Sequence, residues 1–144
     1  MNPMPEDAVL IDSSILAYAL GDPGPRREPC RAYLQSVTAG AGRAYASVEA
    51  LQETLHHRIR RTGNPRAAAS EIRDIAPLLV VLDFDREILE RAVDLVERTS
   101  VRGRDAVHAA TALAYGIDKI ASADRAFDGI PGLIRIDPLT DADA

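Results

Sequence analysis

Short apolar runs that stop abruptly at an acid or a hydroxyl, each followed by residues at helical spacing, recur along the 144 residues and leave few architectures open. Ala8-Val9-Leu10-Ile11 ends at Asp12, and Ser13-Ser14 then supply hydroxyl N-caps for an apolar stretch from Ile15 to Leu20 closed by Gly21. This is the order strand, turn, helix. Gly21-Asp22-Pro23-Gly24-Pro25 is a loop by composition. The next helix is predicted to start near Pro29, with Cys30, Leu34 and Val37 on one stripe, and to end at Gly40 and Gly42. Ala44-Tyr45-Ala46 is a second extended piece, and Ser47 an N-cap for a helix to about Arg61 with Val48, Leu51 and Leu55 on one stripe.

Gly63-Asn64-Pro65 breaks the chain and restarts it as a helix carrying Ala68, Ile72, Ile75 and Ala76, closed by Pro77. Residues 78–82 are too few and too apolar for a surface helix and are predicted as an interior strand. Asp85 caps a helix whose wide apolar face is Ile88, Leu89, Ala92, Val93 and Val96. After Arg102-Gly103-Arg104, Asp105 opens a helix ending at Gly116. Lys119-Ile120-Ala121 is a strand, residues 124–128 a turn, and residues 133–136 a last strand before a polar tail. Unalternated strands separated by helices give an α/β fold, a three-layer α/β/α sandwich with a central, mostly parallel sheet. At 47% hydrophobic residues it forms one domain, spanning 1–144, with its own core.

The sole cysteine, Cys30, rules out an intramolecular disulfide and a cysteine metal cluster. No signal-like start and no long apolar run is present, so a cytoplasmic protein without a membrane span is expected. Trp is absent and Phe plus Tyr number six, too few for a base-stacking platform. No glycine-rich phosphate loop occurs, which argues against a nucleotide cofactor.

In open α/β sheets ligands bind beyond the carboxyl ends of the strands. Asp12 and Asp124 both follow strands, and Glu53 and Asp105 lie near the starts of two helices, so four carboxylates can converge. Two carboxylates about 5 Å apart at an effective dielectric near 20 repel by roughly 3 kcal/mol, so such a cluster calls for a cation. All-oxygen ligation selects Mg²⁺ or Mn²⁺ over Zn²⁺, and such ions serve phosphoryl chemistry. The net charge of −5 opposes a nucleic-acid partner only while these acids are bare; without those four the chain carries −1.

The Asp12-Ser13-Ser14 turn, Glu53 six residues beyond Ser47, the run from Arg104 to Ala112, and Ser122-Ala123-Asp124-Arg125-Ala126-Phe127 together resemble the ordered motifs of PIN-domain ribonucleases, and the layout resembles VapC-type toxins. The likeness spans roughly residues 8–138. It implies metal binding and catalysis by Asp12, Glu53, Asp105 and Asp124, Mg²⁺-dependent endonucleolytic hydrolysis of RNA, a cognate antitoxin partner, and a homodimer formed by helical faces near residues 29–76. Where the family often has Asn two residues after the first Asp, this chain has Ser14. Two other readings are a PIN-like scaffold without turnover and a metal-dependent phosphatase; the dehalogenase-type phosphatases need a second Asp at the position of Ser14.

Ser14, Ser122, Arg102 and Arg104 are expected on the substrate side of this site. Asp128 reads as a solvated turn acid, Cys30 and His108 as packed residues. His56 and His57 diverge by about 100° on a helix and read as surface. Arg58, Arg60 and Arg61 meet the C-terminal dipole of the helix bearing Glu53.

Overall fold

The computed structural model describes residues 5–39 and 43–141. Five parallel strands form one sheet: β1 (Val9–Ile11), β2 (Ala44–Ser47), β3 (Val80–Leu82), β4 (Lys119–Ala121) and β5 (Ile134–Ile136), in spatial order β3-β2-β1-β4-β5. Seven helices connect and cover them: α1 (Ser13–Leu20), α2 (Arg27–Thr38), α3 (Val48–Thr62), α4 (Pro65–Ile75), α5 (Arg86–Arg98), α6 (Gly103–Ala114) and α7 (Pro138–Asp141). None of them is long and apolar enough to cross a membrane.

Strand alternation explains the three layers. On β1, Leu10 faces a core with Ile88, Ala92, Ala109 and Phe127 from the α5–α6 side. Its neighbours Val9 and Ile11 face the opposite core, with Leu16, Cys30, Leu34 and Leu51 from the α1–α3 side. Both faces of β1 are therefore covered, and its short apolar run needs no alternation.

Local chemistry sets the helix boundaries. Ser47 accepts from the Ala50 N–H at 3.0 Å, Asn64 from Ala67 and Asp85 from Ile88, each an N-cap. Gly63 ends α3 with a φ of 66°, a left-handed conformation that a side chain would strain. Asp12, rather than Ser13 or Ser14, holds the N-cap position of α1, and its side chain makes no cap bond there. It is free for other work.

Several expectations need correction. Residues 78–82 do not make an interior strand: β3 is an edge strand, with Val80 and Val81 exposed and Leu82 buried. Of the apolar face expected on α5 only Ile88 and Ala92 are buried, while Leu89, Val93 and Val96 stand in solvent. The buried stripe of α3 runs through Leu51, Thr54 and Arg58, and Val48 is exposed. Arg58 can be buried because Glu71 of α4 pairs with it at 3.0 Å. Helix α2 starts at Arg27, Pro77 sits within a 3₁₀ turn, and the polar tail begins with α7. Gly40 and Gly42 lie outside the described residues.

Candidate metal centre

The strand order reverses direction at β1, whose two neighbours are β2 and β4, and such a point opens a crevice beyond the strand ends. Asp12 and Asp124 follow the two strands that flank it. The Asp12 N–H donates to the Ala121 carbonyl at 3.0 Å, extending the ladder and fixing the carboxylate at the mouth. Only 3% exposed, Asp12 receives at Oδ2 the hydroxyls of Ser14 and Ser122, each at 2.8 Å. Its Oδ1 is buried and receives no hydrogen bond from the described residues. The two serines expected at the substrate thus turn their hydroxyls onto this carboxylate.

Ser122 has a second task. Its oxygen accepts from the Asp124 N–H at 3.0 Å, while Asp124 Oδ1 accepts from Ala126 and caps a 3₁₀ turn. Arg135 of β5 secures the same loop, donating to the Ser122 carbonyl at 3.1 Å and to Asp128 Oδ1 at 2.8 Å. Asp128 is therefore a paired acid, held by Arg135 below the usual carboxylate range. No spacing in the sequence points to Arg135, because the link runs between β5 and a loop.

Glu53 enters from α3. The Ser13 hydroxyl donates to its Oε2 at 2.6 Å, and its Oε1 is buried without a hydrogen bond from the described residues. Between Glu53 and Asp12 stands His108 of α6, fully buried, with Nε2 3.4 Å from Glu53 Oε1 and 3.8 Å from Asp12 Oδ1. His108 Nδ1 lies 3.1 Å from Ser47 Oγ. With the ring proton assigned to Nε2, facing the carboxylates, the Ser47 hydroxyl donates to Nδ1 while its oxygen accepts from Ala50. His108 is thus packed, as its sequence reads, yet it also faces the site. Burial alone would raise the Glu53 pKa, but His108, Ser13 and Arg104 together hold it below its ordinary value.

Asp105 lies in the first turn of α6, reached through Gly103, whose φ of 56° turns the chain into the helix. Burial, then the charges of Asp12 and Asp124, push its pKa up to about 6. Arg104 stands at the rim, 3.7 Å from Glu49 and 4.0 Å from Glu53. Arg102 instead folds onto its own loop, donating to the Thr99 and Val101 carbonyls. Glu49, one turn before Glu53, was not singled out by the sequence, and its pairing with Arg104 is its only visible link to the site.

Among the described residues no three His, Cys, Asp or Glu side chains close into a ready ligand cage. The four acids instead meet through hydroxyls, the His108 ring and mutual repulsion. The donor chemistry nonetheless fits a hard divalent cation. Asp12 Oδ1 and Glu53 Oε1 are buried anionic oxygens with no hydrogen bond, beside an Asp105 whose charge is disfavoured by its neighbours.

The PIN domain model matches residues 9–133. The chain belongs to the PIN-domain family. Within that family it is similar to a VapC ribonuclease of Mycobacterium bovis and to ribonuclease VapC13 of Mycobacterium tuberculosis, each 32% identical over 131 residues, covering 89% of this chain and 98% of the relative. Among solved structures, VapBC2 from Rickettsia felis bound to a promoter DNA fragment superposes with a TM-score of 0.73 at 16% identity, covering 90% of this chain and 98% of that one. Mycobacterium tuberculosis VapC20, described as a toxin cleaving the sarcin-ricin loop, gives 0.66 at 23% identity, covering 85% of this chain and 91% of that one. These neighbours share the parallel sheet and the helical layers of this PIN domain.

Proposed function

We propose that this PIN domain is the toxin ribonuclease of a toxin–antitoxin pair, an Mg²⁺-dependent endoribonuclease in which Asp12, Glu53, Asp105 and Asp124 bind the metal. The observation that carries this reading is the pair of buried, undonated oxygens, Asp12 Oδ1 and Glu53 Oε1, next to Asp105 at the point where the strand order reverses. Mg²⁺, or Mn²⁺ in its place, supplies an activated water and offsets the charge of the phosphate and the leaving oxygen. The chain's own residues perform the positioning. Ser14 and Ser122 hold Asp12 through Oδ2 and leave Oδ1 for the metal, and Ser13 holds Glu53 through Oε2 and leaves Oε1. The Nε2 edge of His108 sits between the two carboxylates and helps to hold the Glu53 pKa down. Arg104, 54% exposed, stands at the rim where it can meet a phosphate of the RNA.

The VapC names of the similar relatives support the activity, and the VapBC complexes among the structural neighbours support an antitoxin that covers the acidic crevice. A homodimer is supported by Leu89, Val93 and Val96, an exposed stripe on α5, and by Val80 and Val81 of the edge strand before it. These lie outside residues 29–76, the helical faces that the family resemblance implies for a homodimer. The reduced, buried Cys30 fits a cytoplasmic setting.

The test is incubation of the purified chain, freed of any partner, with assorted RNAs in Mg²⁺, Mn²⁺ or EDTA. Cleavage in either metal that stops in EDTA is expected. Cleavage that persists in EDTA overturns the mechanism.

A further inference from the structure

Beside the carboxylates, α3 presents a second chemistry. Counting from Glu53, residues His56, His57, Arg60 and Arg61 fall at i+3, i+4, i+7 and i+8, one face of the helix. With Ser13 and Ala17 of α1 they line a groove of about 520 Å³ that begins at Glu53 and Arg104. A second groove of about 320 Å³ shares Ala17, His57 and Arg61 with the first and continues to Arg26 and Arg27. The path is continuous and changes sign along its length, acidic at Glu53 and basic two turns, about 10 Å, further on.

The basic end is not neutralised by the fold. Arg60 makes no hydrogen bond or ion pair with the described residues. Arg61 meets only Asp22, at 3.5 Å between two side chains that are 62% and 80% exposed, a contact of little strength. Burial and the charges of Arg58, Arg61 and Arg60 hold the His57 pKa down, with Glu53 alone opposing them, as expected in a positive field. The helix dipole accounts for cations in the last turn, but not for a groove that joins them to the carboxylates.

Resting on the ribonuclease reading above, we propose that this groove carries the single strand of RNA flanking the cut bond, with Arg60 and Arg61 each holding a backbone phosphate. The volume suits a short stretch of one strand. Apart from Ala17 the side chains that line the first groove carry hydroxyl, imidazole, carboxylate or guanidinium groups, and the two unneutralised guanidinium groups suit a polyanionic backbone. Arginine suits the task, since its planar fork meets phosphate oxygens in pairs. The short sequence distance from Glu53 makes one helix responsible both for a metal ligand and for the register of the strand.

The experiment compares the full chain with Arg60→Gln/Arg61→Gln, with Arg60→Lys/Arg61→Lys, and with Arg98→Gln on the opposite layer as a control. Binding of fluorescein-labelled single-stranded RNA is read by anisotropy across salt concentrations, with Ca²⁺ replacing Mg²⁺ to slow turnover. Cleavage is then measured in Mg²⁺ on a nested set of RNAs, the shortest ending beside the cut bond. The Gln pair is expected to weaken binding by about tenfold per arginine. It should also flatten the slope of log affinity against log salt by about 1.4. Its KM should rise on long RNAs with kcat held, and neither should change on the shortest. The Lys pair should recover most of the salt slope, which a folding defect would not allow, and Arg98→Gln should match the parent.

A parent that cuts RNA while the Gln pair binds and cuts equally well overturns the groove and leaves the ribonuclease reading standing. A Gln pair that keeps its RNA affinity but loses an acidic antitoxin peptide makes the groove a protein site and overturns the proposal. A parent that neither binds nor cuts RNA overturns both.

Discussion

The two walls of the acidic crevice are built on opposite principles. On one, folding surrounds the acids with donors: Asp12 takes two serine hydroxyls, Glu53 takes a third, and the His108 ring lies between them. On the other, Asp105 is set against the charges of Asp12 and Asp124, with its pKa raised to about 6. The first wall is stabilised by the protein alone. The second concentrates repulsion that a bound cation or a proton on Asp105 relieves, as functional sites often do at the expense of stability. A site with two walls of the first kind would be stable and empty; with two of the second, the crevice would resist closing.

The largest effects should test this contrast directly. Asp12→Ala and Asp105→Asn are each expected to reduce metal-dependent RNA cleavage by at least about a hundredfold. Their metal-free stabilities should diverge. Asp12→Ala leaves the Ser14 and Ser122 hydroxyls without their acceptor and should lose about 1–3 kcal/mol in urea unfolding. Asp105→Asn removes a repelled charge and should unfold no earlier than the parent. An Asp105→Asn chain that melts distinctly earlier would mean Asp105 holds the fold, and the contrast between the walls would vanish.

Next in size is Ser122→Ala, which removes one donor from Asp12 and the acceptor for the Asp124 N–H. It should shift the Mg²⁺ dependence of cleavage by about 10–100-fold, with activity recovered at high Mg²⁺. Failure of excess Mg²⁺ to restore activity would show that Ser122 acts on the reacting phosphate instead.

A pH series on the metal-free chain separates the walls by sign. Asp105, raised from an unfolded value near 3.9, favours the folded state below that pH and loses this contribution as pH rises through about 6. The expected fall is roughly 1 kcal/mol once solvent screening is allowed for, and Asp105→Asn should flatten it. Glu53, lowered in the folded chain, contributes above about 4.3 and loses that contribution as pH falls through its lower folded value. Glu53→Gln should therefore flatten the acid side only. The smallest effect is that of Arg104→Gln, an exposed rim residue, with a stability change within about 0.5 kcal/mol of zero.

The sheet and its helices were readable because β1 and β4 are buried on both faces, so apolarity, strand length and a following acid coincide at residues 8–12 and 119–124. The edge was not readable. Val80 and Val81 look the same in sequence whether a neighbour covers them or not, and β3 has a neighbour on one side only. The same blindness applies to Leu89, Val93 and Val96, whose spacing shows a face but not what lies against it. At the site, residue types and order pointed to the four acids. Their supporting contacts were legible only in part. A serine beside an aspartate suggests a local hydroxyl, but Ser122 reaches Asp12 across 110 positions, and Ser47 orients His108 across 61. Such pairings depend on the register of β1 with β4 and of α3 with α6, which local spacing does not encode.

That long-range pairing of β1 with β4 also sets a timetable. Asp12 leaves the ribosome early, but the strand that must lie beside it, and the loop with Ser122 and Asp124, are synthesised more than a hundred residues later. A chain that stops before Lys119 leaves β1 without its β4 neighbour and Asp12 without Ser122 and Asp124, so the crevice is assembled only after both distant halves of the sheet have been made.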